Sequence, residues 1–407
     1  MLIFLVLVVK ILSLQWIAEE YLFFTYSFFV AFYVISRFAL SYFYVPTEAK
    51  FDKDYEPTVS FAVPSKNEAE HIKETIMRMV HCDYPKGKFD IIAVNDGSTD
   101  NTLNEMLEAK RLAKLEGVDV IVVDWKKNQG KREGMAECVK QSKKEIVLFV
   151  DSDSFIESNA LRAIVKYFAI PKVGAVAGQA FVANSQTNLL TKMQSVRYFV
   201  AFKAYKSAEA LFGSVTCCSG CLAAYRREAI LPLMDDFNNQ YFLGAKCTYG
   251  DDRSLTNRLL RHGYDTVFAP DSIAHTFVPD DFRVYMKQQL RWKKSWFRES
   301  FLASKFMWKK NILMSISFYL GFILPIIGPF IILRTLIWRP VFDGIMPTYY
   351  FFGLLLMTLI YGLYYYRYTY DKQWLVGVFS SVFFSFILLW QLPYAMLKLR
   401  DSQWGTR

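Results

Sequence analysis

An α/β domain with a mostly parallel sheet, inserted between transmembrane and interface helices, is the fold class that the sequence predicts. Apolar stretches of about 20 residues, the length that crosses a bilayer, occur only near the two ends of the chain. Between them, short apolar runs alternate with amphipathic stretches, which is the pattern of strand, helix, strand. A mean hydropathy of +0.16 also fits a chain that is partly membrane-embedded and partly soluble.

The first region, residues 1–45, is predicted to contain the N-terminal transmembrane helices. Residues 21–44 form an apolar run in which Arg37 is the only charged residue. Residues 1–16 are apolar as well, but Lys10 interrupts them, and no small-residue cleavage site of a signal peptide follows. We therefore interpret the two segments as a transmembrane hairpin.

Residues 46–279 are predicted to form the cytosolic α/β domain. Their strands are expected at 58–65, 89–96, 118–124 and 145–151, with helices at 67–81 and after Thr99. Because strands and helices alternate along the chain, we expect βαβ units and a mostly parallel sheet.

The remaining segments are predicted to return to the membrane. Residues 280–311 mix Trp and Phe with Arg and Lys, which is typical of helices that lie in the membrane interface. A soluble helix with an aromatic stripe toward the core is the alternative. Residues 312–398 hold C-terminal transmembrane and interface helices, and residues 399–407 form a cytosolic tail.

Within the C-terminal region we expect spans at 312–338 and 348–366, and a segment at 374–397, broken at Pro393, that dips into the membrane and returns or lies in the interface. Basic residues flank these spans and place the soluble domain in the cytoplasm by the positive-inside rule. They are Lys309, Lys310, Arg367 and Lys372.

The composition excludes several classes of protein. A net charge of +10 and a pI near 9.1 suit an anionic membrane face, whereas no basic run is interleaved with a nucleic-acid reading motif. The six cysteines have no regular spacing, so we expect neither a disulfide framework nor a zinc site.

Acidic residues follow the predicted strands at their carboxyl ends, where ligands collect in open α/β sheets. The strongest case is the run EIVLFVDSDS, in which Asp151 and Asp153 directly follow a strand. Two carboxylates at positions i and i+2 of an extended segment share one face, and they suit Mg²⁺ or Mn²⁺ alongside a diphosphate. Solvated loop acids or helix caps remain the alternative for this pair.

Two further stretches carry candidate binding and catalytic groups. Lys131 and Arg132 follow Gly130 and suit the phosphates of a nucleotide. Asp251 and Asp252 stand at the start of an amphipathic helix, where one can cap the helix while the other faces the pocket as a general base. Crowded carboxylates raise one pKa, which favours proton abstraction.

Five motifs in this order, with membrane segments on both sides, resemble the processive family 2 glycosyltransferases, and the class I hyaluronan synthases in particular. The motifs are NDGSTD (95–100), DSD (151–153), GDDR (250–253), QQLRW (288–292) and WGTR (404–407). The resemblance covers nearly the whole chain. One departure is Cys221, which stands where this family usually has a proline.

The resemblance implies a GT-A-like, Rossmann-type domain and assigns roles to individual residues. It implies that Asp252 is the general base, that Asp153 and Asp151 hold a metal-bound diphosphate with Mg²⁺ or Mn²⁺, and that ten residues bind substrate. Those ten are Asp96, Lys131, Arg132, Asp151, Gln288, Arg291, Trp292, Trp404, Arg407 and Cys247.

The resemblance also implies partners and location. It implies a monomeric, multi-pass enzyme of the plasma membrane that polymerises hyaluronan from UDP-GlcNAc and UDP-GlcA and extrudes the nascent polysaccharide through its own channel. Membrane lipid is an expected partner, and nucleic acid is not. Three alternatives remain open: a chitin or chitin-oligomer synthase that uses UDP-GlcNAc alone, a non-enzymatic transporter, and a dolichyl-type transferase.

Overall fold

The computed structural model describes residues 21–45 and 55–402. Residues 1–16 of the expected hairpin, and Trp404 and Arg407 of the terminal motif, therefore lie outside the described residues. The chain forms two compact units. Of the described residues, the helical unit comprises 21–43, 185–208 and 280–398, and the sheet unit comprises 44–45, 55–184, 209–279 and 399–402.

The strands of the described chain all belong to the sheet unit. They are β1 (Val59–Ser65), β2 (Phe89–Asp96), β3 (Val120–Trp125), β4 (Ile146–Phe149), β5 (Ser154–Ile156), β6 (Val173–Val182), β7 (Ala223–Arg226), β8 (Tyr241–Phe242), β9 (Ala245–Lys246) and β10 (Asp265–Thr276).

The helices are divided between the two units. They are α1 (Tyr21–Phe43), α2 (Ile72–Val80), α3 (Thr102–Leu115), α4 (Lys131–Gln141), α5 (Ala160–Val165), α6 (Leu189–Val200), α7 (Ser207–Ala210), α8 (Arg227–Ile230), α9 (Met234–Asn238), α10 (Asp251–Arg261), α11 (Phe282–Met307), α12 (Ile312–Leu333), α13 (Thr348–Thr369), α14 (Trp374–Ile387) and α15 (Gln391–Leu397). Short 3₁₀ turns occur at Lys86–Lys88, Lys166–Ala169 and Leu231–Leu233, and π-helical turns at Ala201–Lys206 and Arg334–Asp343.

An eight-stranded mixed sheet organises the sheet unit, in the order β3-β2-β1-β4-β7-β6-β10-β5. Strands β3, β2, β1 and β4 run parallel, as expected from the alternation of strands and helices. β7 is antiparallel to both of its neighbours, and β5 is antiparallel to β10. The mostly parallel α/β fold predicted from the sequence is therefore confirmed.

The parallel strands are buried on both faces, which explains their continuous apolar runs. Residues 59–63 and 146–149 lie in the main core, and helices α2, α3 and α5 cover its faces. Each parallel strand ends at the same edge of the sheet, so Ser65, Asp96 and Asp151 come from one edge. That edge positions the candidate site.

The helix expected at 67–81 begins later, at Ile72. Asn67 adopts a left-handed backbone conformation with φ of 53° and accepts a hydrogen bond from the Thr99 backbone at 2.9 Å. Asp100 accepts a second bond from the Ala69 backbone. These bonds to the loop after β2 replace the first helical turn, because residues 67–70 serve to connect the ends of β1 and β2.

Three helices among the described residues are long and apolar enough to cross a membrane. They are Tyr21–Phe43, Ile312–Asp343 and Thr348–Thr369, which confirms the apolar helices expected at these places. Helices α14 and α15 pass the same test only as a pair, bent by 42° at their junction. The segment expected to be broken is thus broken, just before the predicted position at Pro393.

One segment is grouped differently from the expected organisation. Residues 185–208, placed in the soluble domain by the sequence, pack in the helical unit because Phe199 lies among the rings of Tyr364, Tyr365 and Tyr368. Within residues 280–311, Phe282–Met307 form one 26-residue helix, α11, which buries charged residues such as Lys294 and Glu299. Its position in the membrane interface stays a prediction.

Candidate functional site

Asp96, at the end of β2, organises the loop that leads to Lys131. Its carboxylate accepts hydrogen bonds from the Gln129 backbone at 2.6 Å, the Gly130 backbone at 3.0 Å and the Asn128 side chain at 3.0 Å. The side chain is buried, as a carboxylate can be when it is fully hydrogen-bonded. Asp96 therefore fixes this loop, and a direct contact between Asp96 and a uridine stays a prediction.

Lys131 is the first residue of α4 and reaches the carboxyl edge of the sheet. Its ammonium donates a hydrogen bond of 2.5 Å to Asp151, and about 30% of each side chain remains exposed, 31% for Lys131 and 29% for Asp151. Burial alone lowers the pKa of Lys131, but attraction to Asp151, and then to Asp251 and Asp252, outweighs it and raises that pKa. Lys131 is thus a charged group set among three carboxylates.

The pair Asp151 and Asp153 follows β4 as the sequence predicts, and both side chains are partly exposed. The Lys131 ammonium at Asp151 shows that this carboxylate accepts a cation. Within residues 21–45 and 55–402, no group of three or more His, Cys, Asp or Glu side chains is arranged to hold a metal ion. The donor set fits a hard divalent cation that would take its other ligands from a diphosphate and water.

Arg132 does not occupy the place that the sequence assigned to it. Its guanidinium is 1% exposed and bonds Asp251 at 2.7 Å, the Tyr249 carbonyl at 3.1 Å and the side chain of Gln240 at 2.9 Å. Phe237 accepts a fourth bond through its carbonyl. A side chain so enclosed does not reach a nucleotide phosphate, so the expected nucleotide contact of Arg132 is replaced by a structural role.

Asp251 is the inner partner of this ion pair. Burial raises its pKa, and the attraction of Arg132 opposes that rise. The raised pKa that the sequence predicted for one of two crowded carboxylates therefore belongs to Asp251, and burial is its main cause. Asp252, the candidate base, is the half-buried neighbour of Asp251 on the first turn of α10.

A five-residue loop, residues 217–221, connects the surroundings of Asp252 and Asp151. The Cys217 sulfur lies 3.7 Å from Asp252 Oδ2, close enough for the thiol to donate a weak hydrogen bond. At Gly220, a Cβ atom would stand only 3.1 Å from Asp151 Oδ1, so a glycine allows this approach. The two carboxylates that the sequence selected therefore border the same loop.

The first turn of α10 is anchored to that loop as well. The Thr256 hydroxyl donates to the Asp252 carbonyl at 2.6 Å and accepts from the Cys218 backbone at 3.0 Å. Gly250, just before the helix, has a left-handed backbone with φ of 79°, which glycine adopts without strain. These contacts fix the position of Asp252 on the first turn of its helix.

The C-terminal tail is bound close to α10. Tyr249 donates a 2.7 Å hydrogen bond from its hydroxyl to the Asp401 carbonyl, and Thr248 donates to the Ser402 carbonyl. Trp404 follows Ser402 by two residues, a reach of about 7 Å for an extended chain. Cys247, one of the expected substrate-binding residues, is 3% exposed, and its backbone bonds the Gln240 carbonyl.

Gln288, Arg291 and Trp292 lie on one face of α11 in the helical unit, as their spacing of three and four residues predicts. Trp292 is 38% exposed, and its ring lies 6.3 Å from the ring of Tyr198. The side-chain oxygen of Gln288 is buried and accepts no hydrogen bond from the described part of the chain. Such an oxygen is suited to a ligand that donates one.

Sequence reasoning missed several residues of this arrangement. Asn128, Tyr249 and Thr256 have no motif of their own, and their roles depend on contacts across the fold. Gly220 has a sequence signal, because it directly precedes Cys221, the residue that departs from the family pattern. Its packing against Asp151 could not be read from that signal.

The buried pair of Arg132 and Asp251 generates a stability prediction. Arg132→Met leaves the Asp251 carboxylate buried without its partner, which costs about 3–5 kcal/mol of unfolding free energy. Thermal unfolding of the purified protein in lipid nanodiscs should shift to a clearly lower temperature. Lys131→Met, at the half-exposed neighbouring position, is the matched control and should unfold near the wild-type temperature. Equal melting temperatures for all three proteins would contradict the structural role of Arg132.

Comparison with known proteins gives a consistent result. The family model described as "Glycosyltransferase like family 2" matches residues 57–295. Hyaluronan synthase of Streptococcus pyogenes is 32% identical over 379 residues, which are 92% of this chain and 88% of that protein. The N-acetylglucosaminyltransferase of Azorhizobium caulinodans is 35% identical over 263 residues, or 64% of this chain and 65% of that protein.

Among solved structures, the mannosyltransferase PcManGT from Pyrobaculum calidifontis, in complex with GDP-Man and Mn²⁺, is similar in fold. It superimposes with a TM-score of 0.59 at 20% identity and covers 94% of this chain and 100% of its own. This likeness supports the GT-A-like architecture. Because the family model matches more than half of the chain and the streptococcal relative spans most of it, the chain belongs to family 2 of the glycosyltransferases, as an enzyme similar to the hyaluronan synthases.

Proposed function

We propose that this enzyme polymerises hyaluronan from UDP-GlcNAc and UDP-GlcA by inverting transfer and passes the polymer through its helical unit. The observation that carries the proposal is the arrangement around residues 217–221, with Lys131 bound to Asp151 on one side and Asp252 on the other. A donor diphosphate and an acceptor hydroxyl need these two kinds of group within one site.

The donor side of the proposed site consists of Lys131, Asp151 and Asp153. Lys131 would bind the diphosphate as a point charge once it leaves Asp151, and the two carboxylates would hold Mg²⁺ or Mn²⁺. The cation supplies charge that stabilises the departing UDP. Asp96 would act through the loop that it fixes, whether or not it also contacts the uridine.

The acceptor side depends on Asp252. Its carboxylate would remove the proton from the acceptor hydroxyl as that oxygen forms a bond to the anomeric carbon of the donor sugar. The bond from that carbon to the UDP oxygen breaks in the same displacement, so the configuration inverts and gives a β-linkage. The hydrogen bonds of Thr256 and Cys217 hold this residue in place for the transfer.

Four further residues would bind substrate, Gln288 and Trp292 in the helical unit and Trp404 and Arg407 in the tail. Gln288 offers an unused buried acceptor, and Trp292 offers a partly exposed ring on which a sugar can stack. Trp404 and Arg407 would close over the nucleotide, a role supported by the anchoring of Asp401 and Ser402 beside α10.

The helical unit would insert in the plasma membrane with the sheet unit in the cytoplasm, and the enzyme would act as a monomer. The long apolar helices support insertion, and the basic residues beside them support this orientation. A UDP-GlcNAc-only synthase of the chitin type is the second candidate, because the rhizobial relative is an N-acetylglucosaminyltransferase.

A donor-dependence assay tests the proposed substrates. Purified enzyme in nanodiscs with Mg²⁺ or Mn²⁺ should release UDP steadily and make a long polymer only when both UDP-GlcNAc and UDP-GlcA are supplied. The product is sized by gel electrophoresis after digestion with a hyaluronan-specific lyase or a chitinase. A chitinase-sensitive product from UDP-GlcNAc alone would favour the second candidate.

Asp252→Asn tests the catalytic base in the same assay. Losing the proton acceptor should slow UDP release by about a hundredfold or more, since general base catalysis contributes about 10²–10⁴ in rate. Asp119→Asn, at an exposed position before β3, is the matched control and should keep the wild-type rate. An Asp252→Asn enzyme that folds normally and releases UDP at the wild-type rate would remove Asp252 from this role.

Deletion of residues 404–407 tests the tail. The truncated enzyme should lose polymer synthesis but unfold at the wild-type temperature, because the contacts of Asp401 and Ser402 remain. The full-length variant Trp404→Ala shows whether synthesis requires the indole ring or only the length of the tail. Normal synthesis by both variants would mean that the tail only tethers the chain.

A further inference from the structure

The helical unit contains a partly open cavity of about 560 Å³ with two basic side chains in its wall. Helices α1, α12, α13 and α14 supply most of the lining, which is largely aromatic and aliphatic. Hydroxyl groups are spread among these side chains, for example those of Tyr350, Thr358 and Ser381. The volume lies within the range of small-ligand sites, and the mixture of rings and hydroxyls suits a saccharide.

Arg197 on α6 and Lys293 on α11 are the charged residues of this lining. Arg197 is oriented by neutral partners: one of its nitrogen atoms donates to the Tyr285 hydroxyl at 2.8 Å and to the Gln289 side chain at 3.0 Å. Lys293 donates to the Leu388 carbonyl at 3.2 Å. Within the described chain, no Asp or Glu side chain lines the cavity to neutralise the two charges.

The two cations are close enough to affect each other. Burial, and then repulsion from Arg197, lowers the pKa of Lys293 to about 8. A lysine whose charge is made costly by its surroundings gains most from a bound anion, since the anion removes the repulsion as well as pairing with the ammonium. The two cations in the wall of this cavity therefore favour the binding of an anion.

Acidic residues elsewhere in the helical unit are engaged away from this cavity. Glu299 pairs with Arg298 at 2.8 Å, and Asp343 pairs with Arg339 at 2.9 Å. Arg37, on the apolar helix α1, is 1% exposed and lies against the ring of Tyr33 at 5.5 Å. It adds another buried positive charge to the unit, and a buried charge in a membrane segment is costly unless function requires it.

We propose that Arg197 and Lys293 form a binding site for the carboxylate of a uronic-acid-containing saccharide. The proposal rests on the proposed function, because it takes the ligand to be the polymer of this enzyme. A carboxylate on every second sugar would pair with the two cations as the chain passes. A neutral polymer of GlcNAc would leave both cations without an anion to pair with, so the site would select the charged product.

Oligosaccharide binding tests the proposal without relying on synthesis. The full chain in phosphatidylcholine nanodiscs is titrated with a hyaluronan hexasaccharide and with chitohexaose, a neutral probe of equal length, by isothermal calorimetry. We expect the charged probe to bind at least tenfold more tightly, as suits charge-assisted hydrogen bonds. Lys293→Met and Arg197→Gln should each abolish most of this preference and leave chitohexaose binding unchanged.

Two matched controls accompany these variants. Lys293→Arg keeps the charge and should keep the preference, which shows that the loss in Lys293→Met is not a folding defect. Lys305→Met removes an exposed lysine of the same helix and should bind both probes as the wild type does. Unchanged binding of the charged probe by both Lys293→Met and Arg197→Gln would overturn the proposal.

Two further measurements distinguish the carboxylate site from a lipid-phosphate site and from a failure of the proposed function. If phosphatidylglycerol in the nanodiscs displaces the hexasaccharide, the cations bind lipid phosphate and the saccharide assignment is overturned. UDP release with both donors is measured on the same preparations. If the wild-type enzyme polymerises with both donors but Lys293→Met and Arg197→Gln bind the hyaluronan hexasaccharide as the wild type does, only the carboxylate site is refuted. If the wild-type enzyme releases no UDP with any donor, the proposed function is refuted.

Discussion

The buried ion pair of Arg132 and Asp251 is the constraint on which the catalytic site depends. Each member has a neighbour in the sequence that faces outward: Lys131 precedes Arg132, and Asp252 follows Asp251. One bond of 2.7 Å between the inner residues therefore holds the first turns of α4 and α10 together. The outer residues are presented at the same edge as a consequence, and the ammonium of Lys131 lies within the electrostatic influence of Asp252.

This arrangement explains why adjacent residues of the same charge have different roles. A buried guanidinium with four hydrogen bonds stabilises a fold, because its planar geometry satisfies several acceptors at once. A half-exposed ammonium bound to one carboxylate can exchange that partner for a ligand. The attraction of three carboxylates keeps Lys131 charged, which the proposed contact with a diphosphate requires.

The first half of the sheet could be predicted from the sequence because its information is local. Strands β1 to β4 alternate with helices, and their apolar runs end in acids that mark the ligand edge. β6, β7 and β10 could not be predicted, since their pairing, which is antiparallel for β7 and parallel between β6 and β10, joins segments far apart in the sequence. The roles of Lys131 and Arg132 could not be separated for the same reason, because only the distant Asp251 distinguishes them. The two cations of the cavity in the helical unit could not be predicted either, because Arg197 and Lys293 come from two helices far apart in the sequence.

The central claim is that Asp151 and Asp153 form a cation site that is completed by a nucleotide diphosphate. Electron paramagnetic resonance of Mn²⁺ tests it most directly, because bound Mn²⁺ loses the six-line signal of the free ion. The purified enzyme should bind Mn²⁺ tightly only when UDP is present, and Asp153→Asn should weaken this binding by about tenfold or more, as expected for the loss of one ionic ligand. Mn²⁺ binding that is the same without UDP, or that is unchanged in Asp153→Asn, would contradict it.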